Sequence, residues 1–194
     1  MSTVADFTLV ADSPPMTVEE FLALPENGVH RELIQGRVRE MGMTVRNRFH
    51  SRIEARIVQR LLNWLDQQPQ PHGEVVCGEA GFRLKGTKES LVGIDVALVS
   101  HELIARTEKK EAMYDGPPIL AVEILSPSDK RQDTVDTVAT YLEVGTTVWV
   151  IDPDFQTVTV FRPGDRPRAL NIEDELQADA DLPGLRVRVA DLLG

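Results

Sequence analysis

The most regular apolar pattern in the chain lies between Asn47 and Gln67, where Phe49, Ile53, Ile57, Leu61 and Leu65 recur every four residues and Leu62 widens the stripe. That period predicts an amphipathic helix with one face on a core, ended by Pro69 and Pro71. A second set at helical spacing joins Val135, Val138, Ala139 and Leu142, with Gly145 where a left-handed C-cap belongs, and predicts a helix over 129–144. Thr17-Val18-Glu19-Glu20 has the spacing of a capping box, so a short helix starts there and ends near Pro25.

Between these lie runs that favour strands. HRELIQGRVREM, residues 30–41, predicts a hairpin around Gln35-Gly36, with Leu33 and Val38 turned to one side and Glu32 and Glu40 flanking the turn. VVCGEAGFRL, broken by glycines, precedes LVGIDVALVS at 91–100. A charged stretch over 101–116 has some helical character, and Gly-Pro-Pro then opens ILAVEIL at 119–125. TTVWVID and QTVTVFR, joined by Pro153-Asp154-Phe155, predict another hairpin, and the tail LPGLRVRVADLLG predicts an edge strand before a terminal turn. Strand pair, helix, strands, helix, strand pair is the order of an α/β (α+β) mixed sheet flanked by helices. No repeat or long linker is visible, so 1–194 reads as one domain with residues 1–15 as an N-terminal arm.

Composition narrows the classes. At 42% apolar the 194 residues can bury a sizeable core. No basic and apolar leader opens the chain and no run of eighteen uncharged apolar residues occurs, so the expectation is a cytoplasmic protein without a membrane segment. Cys77 is the only cysteine, which excludes an intrachain disulfide or a thiolate metal cluster and favours a small buried hydrophobe. A net charge of −10 argues against a general nucleic-acid coat. Positive charge is nevertheless concentrated at Arg46, Arg48, Arg52, Arg56 and Arg60, either a solvated helix face or a patch for an anionic partner.

Candidate chemistry starts from two acids inside apolar runs, Asp95 and Glu123. An unpaired carboxylate is costly to bury. If the two runs are neighbouring strands, about 4.8 Å apart, the acids stand side by side and repel. A hard divalent cation removes that repulsion, and the backbone carbonyl of Ile124 adds an oxygen ligand of the kind Mg²⁺ or Mn²⁺ accepts. The plainer alternative is that arginines or backbone amides satisfy each acid separately.

An Asp on one strand, a Glu followed by Ser-Pro-Ser on the next, then a helix ending near Tyr141 and a strand with Trp149 and Asp152, resembles the Uma-two family of endonucleases. That family looks like a branch of the PD-(D/E)xK superfamily, and the likeness runs from RELIQGRVREM through VEILSPS, YLEVGTTVWVIDP and TVTVFRPG to LPGLRVRVADLL. The resemblance implies a restriction endonuclease-like fold and a metal-dependent endonuclease hydrolysing DNA phosphodiesters, with Mg²⁺ or Mn²⁺ as cofactor, DNA as partner, a homodimer and no nucleotide cofactor. Carried over by position, it makes Asp95 and Glu123 metal ligands together with Ile124, gives Glu32 a role in placing ligands or water, and sets His50 where the family usually has His. Ile94 replaces the motif's Pro and Leu125 its Lys, while the helix position that carries a lysine in this branch falls on Thr137. Lys130 is then the nearest substitute, or else a solvated lysine near a helix cap. The alternative reading is a catalytically impaired relative that binds DNA or protein.

Overall fold

The structure, a computed structural model, describes residues 14–26, 28–41, 47–108, 110–127, 131–177 and 182–194. Expectations for most of the arm, for Arg46 and for Lys130 lie outside the described residues.

The capping box forms: Thr17 Oγ1 accepts from the Glu20 amide at 3.2 Å, Glu20 Oε2 accepts from the Thr17 amide at 2.8 Å, and α1 runs Val18–Leu22. Strands β1 (His30–Ile34) and β2 (Arg37–Met41) follow, joined by Gln35-Gly36. Both turn residues have positive φ, 49° and 75°, the geometry of a two-residue turn matched to strand twist. Its register pairs Ile34 with Arg37, Leu33 with Val38 and Glu32 with Arg39.

Helix α2 (Arg48–Leu65) starts on the Asn47 side chain, which accepts from the amides of Phe49 and His50 at 2.9 Å. Its buried stripe is His50, Ile53, Ile57, Leu61 and Leu65. Phe49, expected to begin that stripe, is instead 46% exposed, with the guanidiniums of Arg48 and Arg52 over its ring at 4.7 and 5.4 Å. A step of three from His50 to Ile53 turns the histidine inward and the aromatic outward.

The long hairpin β3 (Glu74–Lys85) and β4 (Glu89–Val99) is interrupted between Cys77 and Ala80, where Gly78 and Glu79, both at positive φ, stand against the single residue Asp95. Cys77, expected as a buried hydrophobe, is exposed beside this bulge. The charged stretch supplies α3 (His101–Arg106) and the short β5 (Tyr114–Asp115), which pairs in parallel with β3. Strand β6 (Leu120–Ile124) lies antiparallel to β4 and parallel to β7 (Thr147–Asp152), with α4 (Arg131–Glu143) as the crossover between β6 and β7. Gly145 ends that crossover at φ 87°. Of its expected apolar positions, Val138 is buried and Val135 is 54% exposed, because Thr140 and Tyr141 take the inward places.

Strand β8 (Thr157–Phe161) completes a hairpin with β7, and β9 (Arg168–Leu170), which the sequence pattern does not announce, forms the far edge. The tail is not an edge of this sheet: β11 (Arg186–Arg188) pairs only with β10 (Glu175–Gln177) and leads into α5 (Val189–Leu193). Leu185, Val187 and Val189 turn in because this hairpin packs with α2 and β6–β8 in one apolar layer. A second layer on the opposite face of the sheet holds Val138 and Tyr141 of α4. The architecture is thus a mixed, mostly antiparallel sheet in the order β2-β1-β4-β6-β7-β8-β9, flanked by helices as expected. No described helix is long and apolar enough to cross a membrane.

Candidate active site

Strand β4 has three partners. Strand β3 runs along one edge for almost its whole length, so β1 and β6 must share the other. Strand β1 meets it at Leu91 and β6 only from Val96 onward, leaving Val92–Asp95 in a fork between them. Glu32 from β1, Asp95 from β4 and Glu123 from β6 all stand at this fork.

Asp95 faces Glu123 one step beyond the last ladder pair, Val96 with Val122, so the expected neighbourhood is present. Asp95 is 5% exposed, and its Oδ2 accepts from the Ile124 amide at 2.9 Å and meets His50 Nε2 at 3.2 Å. The carboxylate thus takes the place of a strand carbonyl at the end of the ladder. His50 arrives from the α2 face of the sheet, 2% exposed, with Nδ1 buried and lacking a hydrogen-bond partner, 3.8 Å from Glu54 Oε2. Tyr141 arrives from the α4 face, and its hydroxyl donates to Glu123 Oε1 at 2.8 Å.

Glu32 is 7% exposed and its Oε1 accepts from the Gly93 amide at 3.0 Å. Its chain neighbour Arg31 turns away to Glu40 at 3.0 Å. Arg39, directly across the hairpin, brings Nη1 to 3.8 Å from Glu32 Oε2. Burial pushes the Glu32 carboxyl above its usual range and Asp95 adds to that, against the pull of the Gly93 amide, Arg39 and His30. Burial also drives the Tyr141 phenol well up, assisted by the charges of Glu123, Glu32 and Asp95.

Two participants escaped sequence reasoning. Arg39 was legible in principle, since a two-residue turn at 35–36 forces 32 opposite 39. Tyr141 had no such signal, because its partner lies eighteen residues away in the chain and across a crossover. Lys130 lies outside the described residues, and Thr137, at the helix-lysine position, accepts from Arg39 Nη1 at 2.9 Å.

Among the described residues no three His, Cys, Asp or Glu side chains form a ready-made metal cage. What the fork offers a cation is chiefly oxygen: the facing carboxylates of Asp95 and Glu123, Glu32 at the same fork and the main chain at Ile124, with the His50 ring held against Asp95. Such a set suits Mg²⁺ or Mn²⁺, which keep waters and use one or two carboxylates, and does not suit a closed Zn²⁺ site.

Residues 18–190 match the sequence model of the Uma2 family, described as "Putative restriction endonuclease". Among solved structures, the chain is similar to a crystal structure from Anabaena variabilis ATCC 29413 titled as a "putative nuclease belonging to DUF820". The two share 27% identity with a TM-score of 0.76 over 92% of this chain and 98% of that one, and with them the restriction endonuclease-like fold. No curated protein matches the chain.

Proposed function

The chain belongs to the Uma2 family, and from that premise we propose that it is a metal-dependent endonuclease hydrolysing DNA phosphodiester bonds at the fork between β1 and β6. The observation that carries the reading is the gathering of Glu32, Asp95 and Glu123 from three strands at the one place where the β4 edge is left unpaired. Buried carboxylates on a sheet are costly, and an arrangement that keeps Glu32 and Asp95 buried, with the half-buried Glu123 facing Asp95, points to function before stability.

Asp95 and Glu123 would hold Mg²⁺ or Mn²⁺, with the Ile124 carbonyl, which in an extended strand projects to the same edge as the amide bonded to Asp95. A bound ion would lower the pKa of a coordinated water and offset charge on a phosphate oxygen. The chain's own residues prepare that site. His50 and the Ile124 amide fix the Asp95 carboxylate, while Tyr141 fixes Glu123. Glu32, with its carboxyl raised by burial, is suited to orient water and accept its proton.

A non-catalytic DNA-binding relative is the second reading, favoured by Thr137, an uncharged residue at the position that carries a lysine in this branch. Supercoiled plasmid incubated with the protein and Mg²⁺ or Mn²⁺ separates the two. Cleavage abolished by Asp95→Ala and by Glu123→Gln supports the nuclease, and cleavage that persists in both removes the fork as its centre. A wild type that binds DNA without cutting supports the second reading.

A further inference from the structure

Arg39 is held in an unusual way. Its side chain is only 13% exposed, yet its hydrogen bonds go to neutral acceptors: Nη1 to Thr137 Oγ1 at 2.9 Å and Nη2 to the Asp133 carbonyl at 3.3 Å. Glu32 stands at 3.8 Å, too far for a charge-assisted hydrogen bond, and Nε is buried with no partner at all. A guanidinium buried to this extent is ordinarily closed by a carboxylate in a two-point pair. Here α4 pins one end of it beside Glu32 and leaves the Nε–H unmade, which is costly unless another group supplies the acceptor. Among the described residues, the basic side chains nearby are engaged elsewhere, Arg31 with Glu40 and the Pro25 carbonyl and His50 with Asp95. Besides a carboxylate, a phosphate is the anionic acceptor whose oxygens match a planar guanidinium.

We propose that Arg39, anchored by Thr137 and Asp133, is the phosphate-contacting cation of this site and takes a non-bridging oxygen of the scissile phosphate. The inference rests on the nuclease reading. It gives Thr137 a purpose: the hydroxyl holds a cation delivered by the β1–β2 hairpin and does not mark a lost one.

The test compares Arg39→Ala, Arg39→Gln, Thr137→Ala and the double variant Arg39→Ala with Thr137→Lys, in single-turnover cleavage with Mg²⁺ and in DNA binding with Ca²⁺ replacing it. Loss of one preorganised donor to developing charge lowers the cleavage rate about 10²- to 10³-fold. The expected pattern is that loss for Arg39→Ala and Arg39→Gln, a smaller loss for Thr137→Ala, and partial recovery in the double variant, whose ammonium starts from the residue that now touches the guanidinium. Arg39→Gln cutting at the wild-type rate while folded overturns the proposal. So does an Arg39→Ala deficit that the double variant leaves untouched while its melting temperature matches the wild type. If the wild type cuts nothing, the nuclease reading fails by itself, and the phosphate contact is decided by the salt dependence of DNA affinity. Removing one contact lowers that slope by about one, and an unchanged slope in Arg39→Gln overturns it.

Discussion

The Tyr141 hydroxyl donates to Glu123 Oε1 at 2.8 Å, so a phenol on α4 sets the direction of a carboxylate on β6. Tyr141→Phe keeps the ring, which is 1% exposed, and removes only this donor. The expected cost is about 1–3 kcal/mol of unfolding free energy, read from urea titration, because a half-buried hydrogen bond to a carboxylate is lost. The Mn²⁺ concentration for half-maximal cleavage should rise about 10- to 100-fold, as it does when a partner behind a metal ligand is lost. An unchanged metal requirement would show that Tyr141 serves packing alone.

The chain has two tyrosines, and both are shifted the same way. Burial, with help from Glu74, pushes Tyr114 up to about 12, and burial with the nearby acids pushes Tyr141 well above its ordinary value. In both the native state holds the proton where the unfolded chain releases it, so their contribution to stability is intact below the unfolded value near 10 and is lost as pH climbs through the folded one. Absorbance at the tyrosinate band should stay flat in the native protein between about pH 9 and 11, while the urea-unfolded chain titrates near 10. A native transition near pH 10 would contradict the burial of Tyr141 and the bond of Tyr114 to Glu74.

Much of this arrangement is legible along the chain, for reasons that can be stated. The Gln35-Gly36 turn fixes its own register, the capping box at Thr17 is local, and the acids Asp95 and Glu123 stand out because apolar runs surround them. The stripe of α2 reads one residue off at its start, since Phe49 and His50 each suit the first turn and only the Asp95 carboxylate beneath decides which is drawn in. The tail hairpin β10–β11 alternates like an edge strand of any sheet, so its period does not say which sheet it joins. The fork is least legible of all, because it arises from where β1 and β6 stop along one edge of β4, a property of three pairings together.

The β1–β2 turn holds Gln35, a residue without special tolerance for positive φ, at 49°. Its amide donates to Ser90 Oγ at 2.8 Å, a bond any non-proline residue keeps. Gln35→Asn makes the preferred Asn-Gly turn and should raise stability by about 0.5–1 kcal/mol. Gly36→Ala should lose about 1–2 kcal/mol, since φ is 75° there and the added carbon would meet Pro15 Cβ at 3.1 Å. Chemical denaturation of the two variants beside the wild type checks both signs, and a stable Gly36→Ala would mean that the turn relaxes to another type.

Glu32 gives the sharpest contrast between stability and chemistry. Its carboxyl is raised, first by burial, so the native state favours the protonated form. The unfolded chain gives up that proton earlier, near the ordinary carboxylate value, and stability therefore falls as pH rises from there through the folded pKa. Glu32→Gln removes the charge, while its side-chain oxygen can still accept from the Gly93 amide that now bonds Glu32 at 3.0 Å. The variant should melt above the wild type at pH 8, and the gap should close as pH falls below about 4, where the native glutamate is already neutral. Cleavage should drop in the same variant, because a neutral amide cannot accept a proton from water. Thermal melts across pH and a plasmid assay on one preparation read both effects. A Glu32→Gln variant that is less stable than the wild type at pH 8 would show that the pull of Arg39 and the Gly93 amide outweighs the cost of burying the charge.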